Sequence, residues 1–171
     1  RVMLIGGGRV SYYLAQRLQR DGVAVQLIEQ DRERCELLAS MLPEDVSIIH
    51  GDGSDQDLLE SEGVAECDAL VTLTGLDEMN MLISLYGHSL GIPRVVTKVG
   101  RTGSGTLRSS LPLGSVVCPK DLCCNDIVRY VRAMQNQAGA ALSMHTIADG
   151  QAEAIEFAVD AATLHCGEPL K

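Results

Sequence analysis

The chain has 171 residues, of which 14 are basic and 23 acidic, giving a net charge of −9 at neutral pH. Nucleic acid is excluded as a partner held through its phosphates, because such binding needs lysine and arginine clustered on one face. Aromatic residues make up only 3% of the chain, which also argues against a stacking platform for single-stranded nucleic acid.

Short apolar runs alternate with amphipathic segments through the first hundred residues. The pattern predicts strands over residues 2–5, 23–28, 46–49, 69–73 and 95–98, and helices over residues 10–20, 32–41, 54–62 and 77–90. This alternation indicates βαβ units and a parallel sheet, and the continuous apolar runs indicate helices on both of its faces. Right-handed crossovers then favour an α/β fold of the Rossmann-like, doubly wound type.

Three of these helices begin with residues that commonly cap helices. We expect Asp31 to cap the second helix and Asp77 to cap the fourth. Ser54, with Asp57 three residues later, is expected to form a capping box at the start of the third.

The last part of the chain predicts a different organisation. A loop over residues 101–114 leads to a strand over 115–118, a helix over 120–135, and alternating segments over 141–148 and 152–159 around an Asp149-Gly150 turn. An isolated hairpin is only marginally stable in water. We therefore expect one domain over residues 1–135, and a linker and the truncated start of a second small domain over residues 136–171.

The loop between the first strand and the first helix is rich in glycine. It comprises Gly6, Gly7, Gly8, Arg9 and Val10, in the position of a dinucleotide-binding fingerprint. Gly6 permits a tight turn, and Gly8, without a Cβ, lets a pyrophosphate approach the N–H groups at the helix start. Ser11 replaces the usual third glycine, which costs some closeness of packing and leaves the anion site intact.

Polar residues follow the other predicted strands at the same sheet edge. Glu29 comes 21 residues after Gly8, where a carboxylate accepts hydrogen bonds from ribose hydroxyls and repels a 2′-phosphate, so NAD is favoured over NADP. The other candidate contacts are Asp52 and Gly53 after the third strand, Thr72, Leu73 and Thr74 at the fourth, and Lys98 at the fifth. Together these residues predict a nucleotide site at the carboxyl ends of the strands.

Catalytic and metal-binding patterns are not found in the sequence. There is no Tyr-x-x-x-Lys pair, and the four histidines have no base-and-orienter arrangement. The six cysteines lack the paired spacing of zinc ligands, so we expect reduced thiols in a cytoplasmic protein and no metal site. We expect a binding protein and not an enzyme. The alternative is a small Rossmann-fold enzyme, such as an S-adenosylmethionine-dependent methyltransferase, which uses a similar loop and acids.

Several of these motifs together resemble the TrkA family of potassium uptake regulators, with RCK (or KTN) domains. They are the glycine loop, Glu29, the Gly51-Asp-Gly-Ser-Asp55 element followed by Leu58-Leu59, Thr72 to Thr74 with Asp77 and Asn80, and Ser115 to Pro119. The resemblance covers residues 1–135, and the hairpin after it is similar to the start of the family's small C-terminal module (TrkA-C).

This resemblance implies a regulatory subunit that assembles into homodimers or rings. It would lie in the cytoplasm, peripheral to the inner membrane, beneath a membrane potassium transporter. Its cofactor would be NAD or NADH, with ATP or ADP as alternatives, and the bound nucleotide would gate transport by changing the subunit's conformation. The candidate residues named above would be the nucleotide contacts.

Overall fold

The computed structural model describes residues 1–100, 111–135, 141–147 and 152–157. The strands are β1 (Val2–Ile5), β2 (Val25–Glu29), β3 (Val46–His50), β4 (Ala69–Thr72), β5 (Val95–Lys98), β6 (Ser115–Val117), β7 (Ala141–Ile147) and β8 (Ala152–Phe157). The helices are α1 (Arg9–Arg20), α2 (Arg32–Met41), α3 (Gln56–Ser61), α4 (Asp77–Ser89) and α5 (Pro119–Gln135), with a 3₁₀ turn over Val64–Glu66. The predicted loop at residues 101–110 and the Asp149-Gly150 turn lie outside the described residues.

Six strands form one parallel sheet in the order β3-β2-β1-β4-β5-β6. The chain first builds outward from β1 through β2 to β3, and then returns to the other side of β1 to add β4, β5 and β6. The order therefore reverses between β1 and β4, which is the position where doubly wound folds bind their ligands. The predicted α/β, Rossmann-like doubly wound sheet is confirmed.

Two apolar layers cover the two faces of this sheet. Alternate residues of β1 separate into them, since Met3 and Ile5 contribute to one layer and Leu4 to the other. The first layer includes Leu59 of α3 and Ile83 of α4. The second layer is formed with α1 and α2. Fully buried strand residues on both faces explain why the strands are apolar without alternation.

The described residues divide into two compact units, Arg1–Lys120 and Asp121–Lys171. The second unit contains the antiparallel pair of β7 and β8, so the two strands of the predicted hairpin are confirmed. The predicted division into residues 1–135 and 136–171, and the identity of the second part as the start of a small module, stay predictions. No helix in the described parts of the chain has the length and apolarity needed to cross a membrane.

Candidate functional site

A cleft of about 250 Å³ lies at the carboxyl ends of β2, β3 and β4. It is lined by Glu29, Gln30, Asp52, Gly53, Ser54, Thr74, Gly75, Leu76, Met79 and Ile83. Four of the predicted site residues, Glu29, Asp52, Gly53 and Thr74, are thus brought together at one surface. Polar groups from the strand ends face an apolar wall from α4 and the loop before it, a combination typical of small-molecule sites.

The three consecutive glycines after β1 have different surroundings. Gly6 has φ +98°, and a Cβ there would lie 3.0 Å from the backbone of Thr74. A Cβ on Gly7 would lie 2.7 Å from Leu38 Cδ1. At Gly8, in contrast, a Cβ would meet no protein atom within 4 Å. The protein's own packing therefore explains the first two glycines, and Gly8 leaves open space beside the start of α1.

The N-terminus of α1 differs from those of the other helices of the sheet. Gly8 is its N-cap and supplies no side-chain hydrogen bond, and its first turn contains no acidic residue. The N–H groups of Gly8 and Arg9 have no protein acceptor among the described residues. By comparison, α2 and α3 are capped by Asp31 and Asp55 and carry acids in their first turns. The N–H groups without a protein acceptor, and a first turn without an acidic residue, favour an anionic ligand at the start of α1.

The cap predicted for α3 is corrected by the structure. Asp55, and not Ser54, accepts hydrogen bonds from the backbone N–H groups of Asp57 and Leu58. Ser54 instead donates to Asp52 through its backbone N–H (2.9 Å) and its hydroxyl (2.7 Å). The backbone hydrogen bond from Ser54, followed by the hydroxyl bond, lowers the pKa of Asp52 from its usual value. Asp52 is thus held as a charged acceptor at the rim of the cleft.

Ser11 is fully buried, and its hydroxyl donates a hydrogen bond to the carbonyl of Gly6. The residue at the third fingerprint position therefore ties the first turn of α1 to the preceding loop.

Glu29 links the end of β2 to the glycine loop. One carboxylate oxygen accepts the N–H of Gly7, and the other accepts the N–H of Asp31 at 2.8 Å. Arg34 of α2 completes this arrangement, because its Nε donates to the carbonyl of Gly7 at 2.7 Å. The carboxylate predicted to bind a ribose is thereby held directly beside the predicted phosphate loop.

Asn80 organises the opposite wall of the cleft and was not among the predicted contacts. It is fully buried, and its Oδ1 accepts from the N–H (2.9 Å) and hydroxyl (2.7 Å) of Thr74. Its Nδ2 donates to the carbonyls of Thr74 and Lys98. Asp77, predicted as a cap of α4, instead accepts the N–H of Gly100 with both oxygens. The cap position of α4 belongs to Leu76, which makes no side-chain hydrogen bond.

Eight of the twelve predicted contacts are not among the residues that line the cleft: the glycine loop from Gly6 to Val10, Thr72, Leu73 and Lys98. Thr72 is fully buried, with its hydroxyl bonded to Ser84 and to the carbonyl of Val96. Leu73 is buried in the core layer beside α1 and α2, and Lys98 Nζ donates to its carbonyl at 3.3 Å. Arg9 and Val10 are exposed at the start of α1.

The residues missed at the cleft are chiefly Met79 and Ile83. Their spacing of four places them on one face of α4, but the same spacing is typical of ordinary core residues. No group of three or more potential metal ligands occurs within the part of the chain that the structure describes.

Comparison with known proteins identifies the family to which this geometry belongs. The model of the TrkA-N domain matches residues 2–119. The chain belongs to the TrkA-N domain family. It is 29% identical over its whole length to the Trk system potassium uptake protein TrkA of Azorhizobium caulinodans, and 31% identical over 99% of its length to TrkA homolog 2 of Methanosarcina mazei. The chain spans little more than a third of each of these relatives, 36% and 37% respectively.

Solved structures show the same fold for this TrkA-N domain. The TrkA-N domain of the inner membrane protein ybaL from Escherichia coli superimposes with a TM-score of 0.66 at 14% identity, over 75% of this chain and 93% of that one. The Kef C-terminal domain of Shewanella denitrificans, in an AMP-bound form, gives a TM-score of 0.66 at 15% identity, over 80% and 82% of the two chains. The matches to TrkA proteins do not favour the methyltransferase alternative.

Proposed function

We propose that this TrkA-N domain binds NAD or NADH at the cleft and acts as a regulatory part of a potassium uptake system. ATP and ADP are the alternative ligands, because they carry the same adenosine and phosphate groups. The observation that carries the proposal is one hydrogen bond: Glu29 accepts the N–H of Gly7, directly before the N-terminus of α1, which has no side-chain cap. Phosphate and ribose groups of one nucleotide need these two features side by side.

The ligand's three parts correspond to three parts of the site. The phosphates would lie at the open space beside Gly8, where backbone N–H groups are free. The ribose hydroxyls would donate to Glu29, and the adenine would pack on Met79 and Ile83 with Asp52 at its edge. The cleft, of about 250 Å³, would hold the adenosine end of the ligand.

The dinucleotide without a 2′-phosphate is the better fit. Glu29 is fixed by two backbone N–H donors, from Gly7 and Asp31, so it cannot turn away from the ribose without losing both bonds. A 2′-phosphate would bring a second negative charge against this carboxylate. We therefore expect Glu29→Gln to raise the affinity for NADP relative to that for NAD.

The domain is proposed to act by binding and not by turnover. The titratable side chains among the described lining residues are Glu29 and Asp52, both of which have ligand-binding roles in this proposal. A ligand that binds one conformation or one assembly better than another shifts their balance by the difference in its affinities. The relatives named as Trk system potassium uptake proteins support a membrane potassium transporter as the partner. We further propose a homodimer or ring, located in the cytoplasm and peripheral to the membrane through that transporter.

Calorimetry of the full-length protein with NAD, NADH, ATP, ADP and S-adenosylmethionine tests the ligand. We expect an adenine nucleotide to bind, and Glu29→Ala to abolish binding, while Glu44→Ala, an exposed carboxylate outside the cleft, leaves it unchanged. Binding of S-adenosylmethionine without any of the nucleotides would contradict the proposal. The regulatory role is tested by potassium flux with the transporter, where Glu29→Ala should remove the response to nucleotide.

A further inference from the structure

Arg34 contacts the glycine loop from outside the cleft lining. It lies near the start of α2 and is half-buried, and its Nε donates to the carbonyl of Gly7 at 2.7 Å. Among the described residues its terminal nitrogens form no ion pair with a carboxylate. Within the described part of the chain, the hydrogen bond that its side chain donates goes to the backbone of the loop.

This hydrogen bond sets the orientation of one peptide unit. In a trans peptide the C=O and the N–H point in opposite directions, and the described chain contains no cis peptide. Because Arg34 holds the carbonyl of Gly7, the N–H of Gly8 in the same unit points away from Arg34. That N–H is one of four at the start of α1, those of residues 8–11, that have no protein acceptor among the described residues.

Gly7 is thus held at both of its backbone polar groups. Glu29 accepts its N–H, and Arg34 donates to its C=O. Glycine has more backbone freedom than any other residue, so a run of three has many conformations to lose when it binds an anion. A loop held in its binding conformation before the ligand arrives avoids part of that cost.

We propose that Arg34 is a positioning residue that keeps the Gly7–Gly8 peptide in its phosphate-binding orientation. It acts on the phosphate of the nucleotide through the loop and has no part in holding adenosine. This inference rests on the proposed function, because it concerns the same site. It gives a distinct signature: Arg34 governs the difference in affinity between a phosphorylated nucleoside and the nucleoside alone.

The test compares ADP with adenosine on the full chain, by calorimetry or by NMR titration. The variant is Arg34→Met, which keeps the length of the side chain and removes its donors. The matched control is Arg32→Met, two residues away on the same helix. The Arg32 side chain is 79% exposed, and its ion pair among the described residues is with Glu36, at 3.1 Å, so this control removes the same charge without touching the loop.

Arg34→Met is expected to weaken ADP binding by about tenfold or more, the scale of a hydrogen bond from a charged donor. Adenosine affinity should change by less than about twofold, and Arg32→Met should change neither. Arg34→Lys keeps the charge but presents one ammonium in place of the planar guanidinium. Its ADP affinity should therefore fall between those of the wild-type protein and Arg34→Met. If Arg34→Met does not fold, the comparison of Arg34→Lys with the wild-type protein still separates the effect of the guanidinium geometry from that of the charge.

Three outcomes would overturn the inference. Equal losses for ADP and adenosine would show a merely structural role, and equal ADP affinities for Arg34→Met and Arg32→Met would show no role. NADP binding more tightly than NAD, with the preference lost in Arg34→Met, would show that the guanidinium contacts a 2′-phosphate directly. Failure of the wild-type protein to bind any adenine nucleotide would instead refute the proposed function on which the inference rests.

Discussion

Replacing Gly8 by alanine separates ligand binding from folding at this site. The new Cβ would meet no protein atom within 4 Å, and the residue already has φ −68° and ψ −177°, which alanine adopts without strain. Alanine is a poorer N-cap than glycine by about 0.5–1 kcal/mol. It also reduces the entropy of the unfolded chain, which contributes about 0.4–1 kcal/mol of stability. The two effects nearly cancel, so the free energy of unfolding should stay within about 0.5 kcal/mol of the wild-type value.

The same methyl group would fill the space through which the phosphates reach the N–H groups of α1. A nucleotide at about one hundred times its Kd stabilises the wild-type protein by roughly 2.7 kcal/mol. For a domain of this size that raises the Tm by roughly 5–10 °C. We expect Gly8→Ala to lose most of this shift while its Tm without ligand is unchanged.

Thermal denaturation with and without NAD measures both quantities in one experiment. Gly22→Ala is unsuitable as a control because Gly22 has φ +75°. The comparison variant is Gly75→Ala, whose added methyl group lies at the cleft wall and meets no protein atom within 4 Å. Comparison of Gly8 with Gly75 therefore distinguishes the phosphate region from the adenosine region. An unchanged Tm shift in Gly8→Ala would refute the placement of the phosphates at α1.

Three further expectations concern residues around the cleft. Gly53→Ala should destabilise the protein even without ligand, by about 1–3 kcal/mol, because its Cβ would lie 2.2 Å from a core methyl group; chemical denaturation measures this loss. The pKa of Asp52 is below its usual value, so the stability contributed by this carboxylate is present above its unfolded pKa and is lost as the pH falls through the folded pKa. NMR titration of Ser54→Ala should show the pKa of Asp52 raised part of the way. The rise is partial because the backbone hydrogen bond, which is the larger contribution, remains. Burial, aided by the charge of Glu29, raises the pKa of Cys35, so brief alkylation followed by peptide mapping should label the exposed Cys123 well before Cys35, and equal labelling would contradict the buried position.

The chain order of apolar runs was sufficient to predict the sheet. Strand periodicity and helix periodicity depend on residues close in sequence, and right-handed crossovers leave few topologies for alternating elements. The pairing of Glu29 with the glycine loop was also predictable, because both stand at the carboxyl ends of strands that follow one another in the chain. Their direct contact at the N–H of Gly7 is what the structure adds.

Local patterns were less informative where two residues compete for one role. Ser54 and Asp55 are both good caps, and Asp55 takes the position at α3 because Ser54 is bonded to Asp52. Thr72 stands at the end of β4 as predicted, but the alternation of side chains along the strand turns it toward α4. There its hydroxyl forms a hydrogen bond with the hydroxyl of Ser84. Neither choice can be derived without knowing which groups from other elements lie nearby.

The sequence by itself determined the doubly wound fold, the edge of the sheet that carries the cleft, and the position of Glu29 beside the glycine loop. Those features follow from periodicity and from the few backbone conformations that a glycine-rich turn requires. Only the tertiary structure decided that Gly8 is the one of the three loop glycines with free space, that Asn80 bonds Thr74 at the cleft wall, and that Arg34 donates to the carbonyl of Gly7. These roles depend on contacts between residues far apart in the chain, whose distances and directions are set by the packing of α2 and α4 against the sheet.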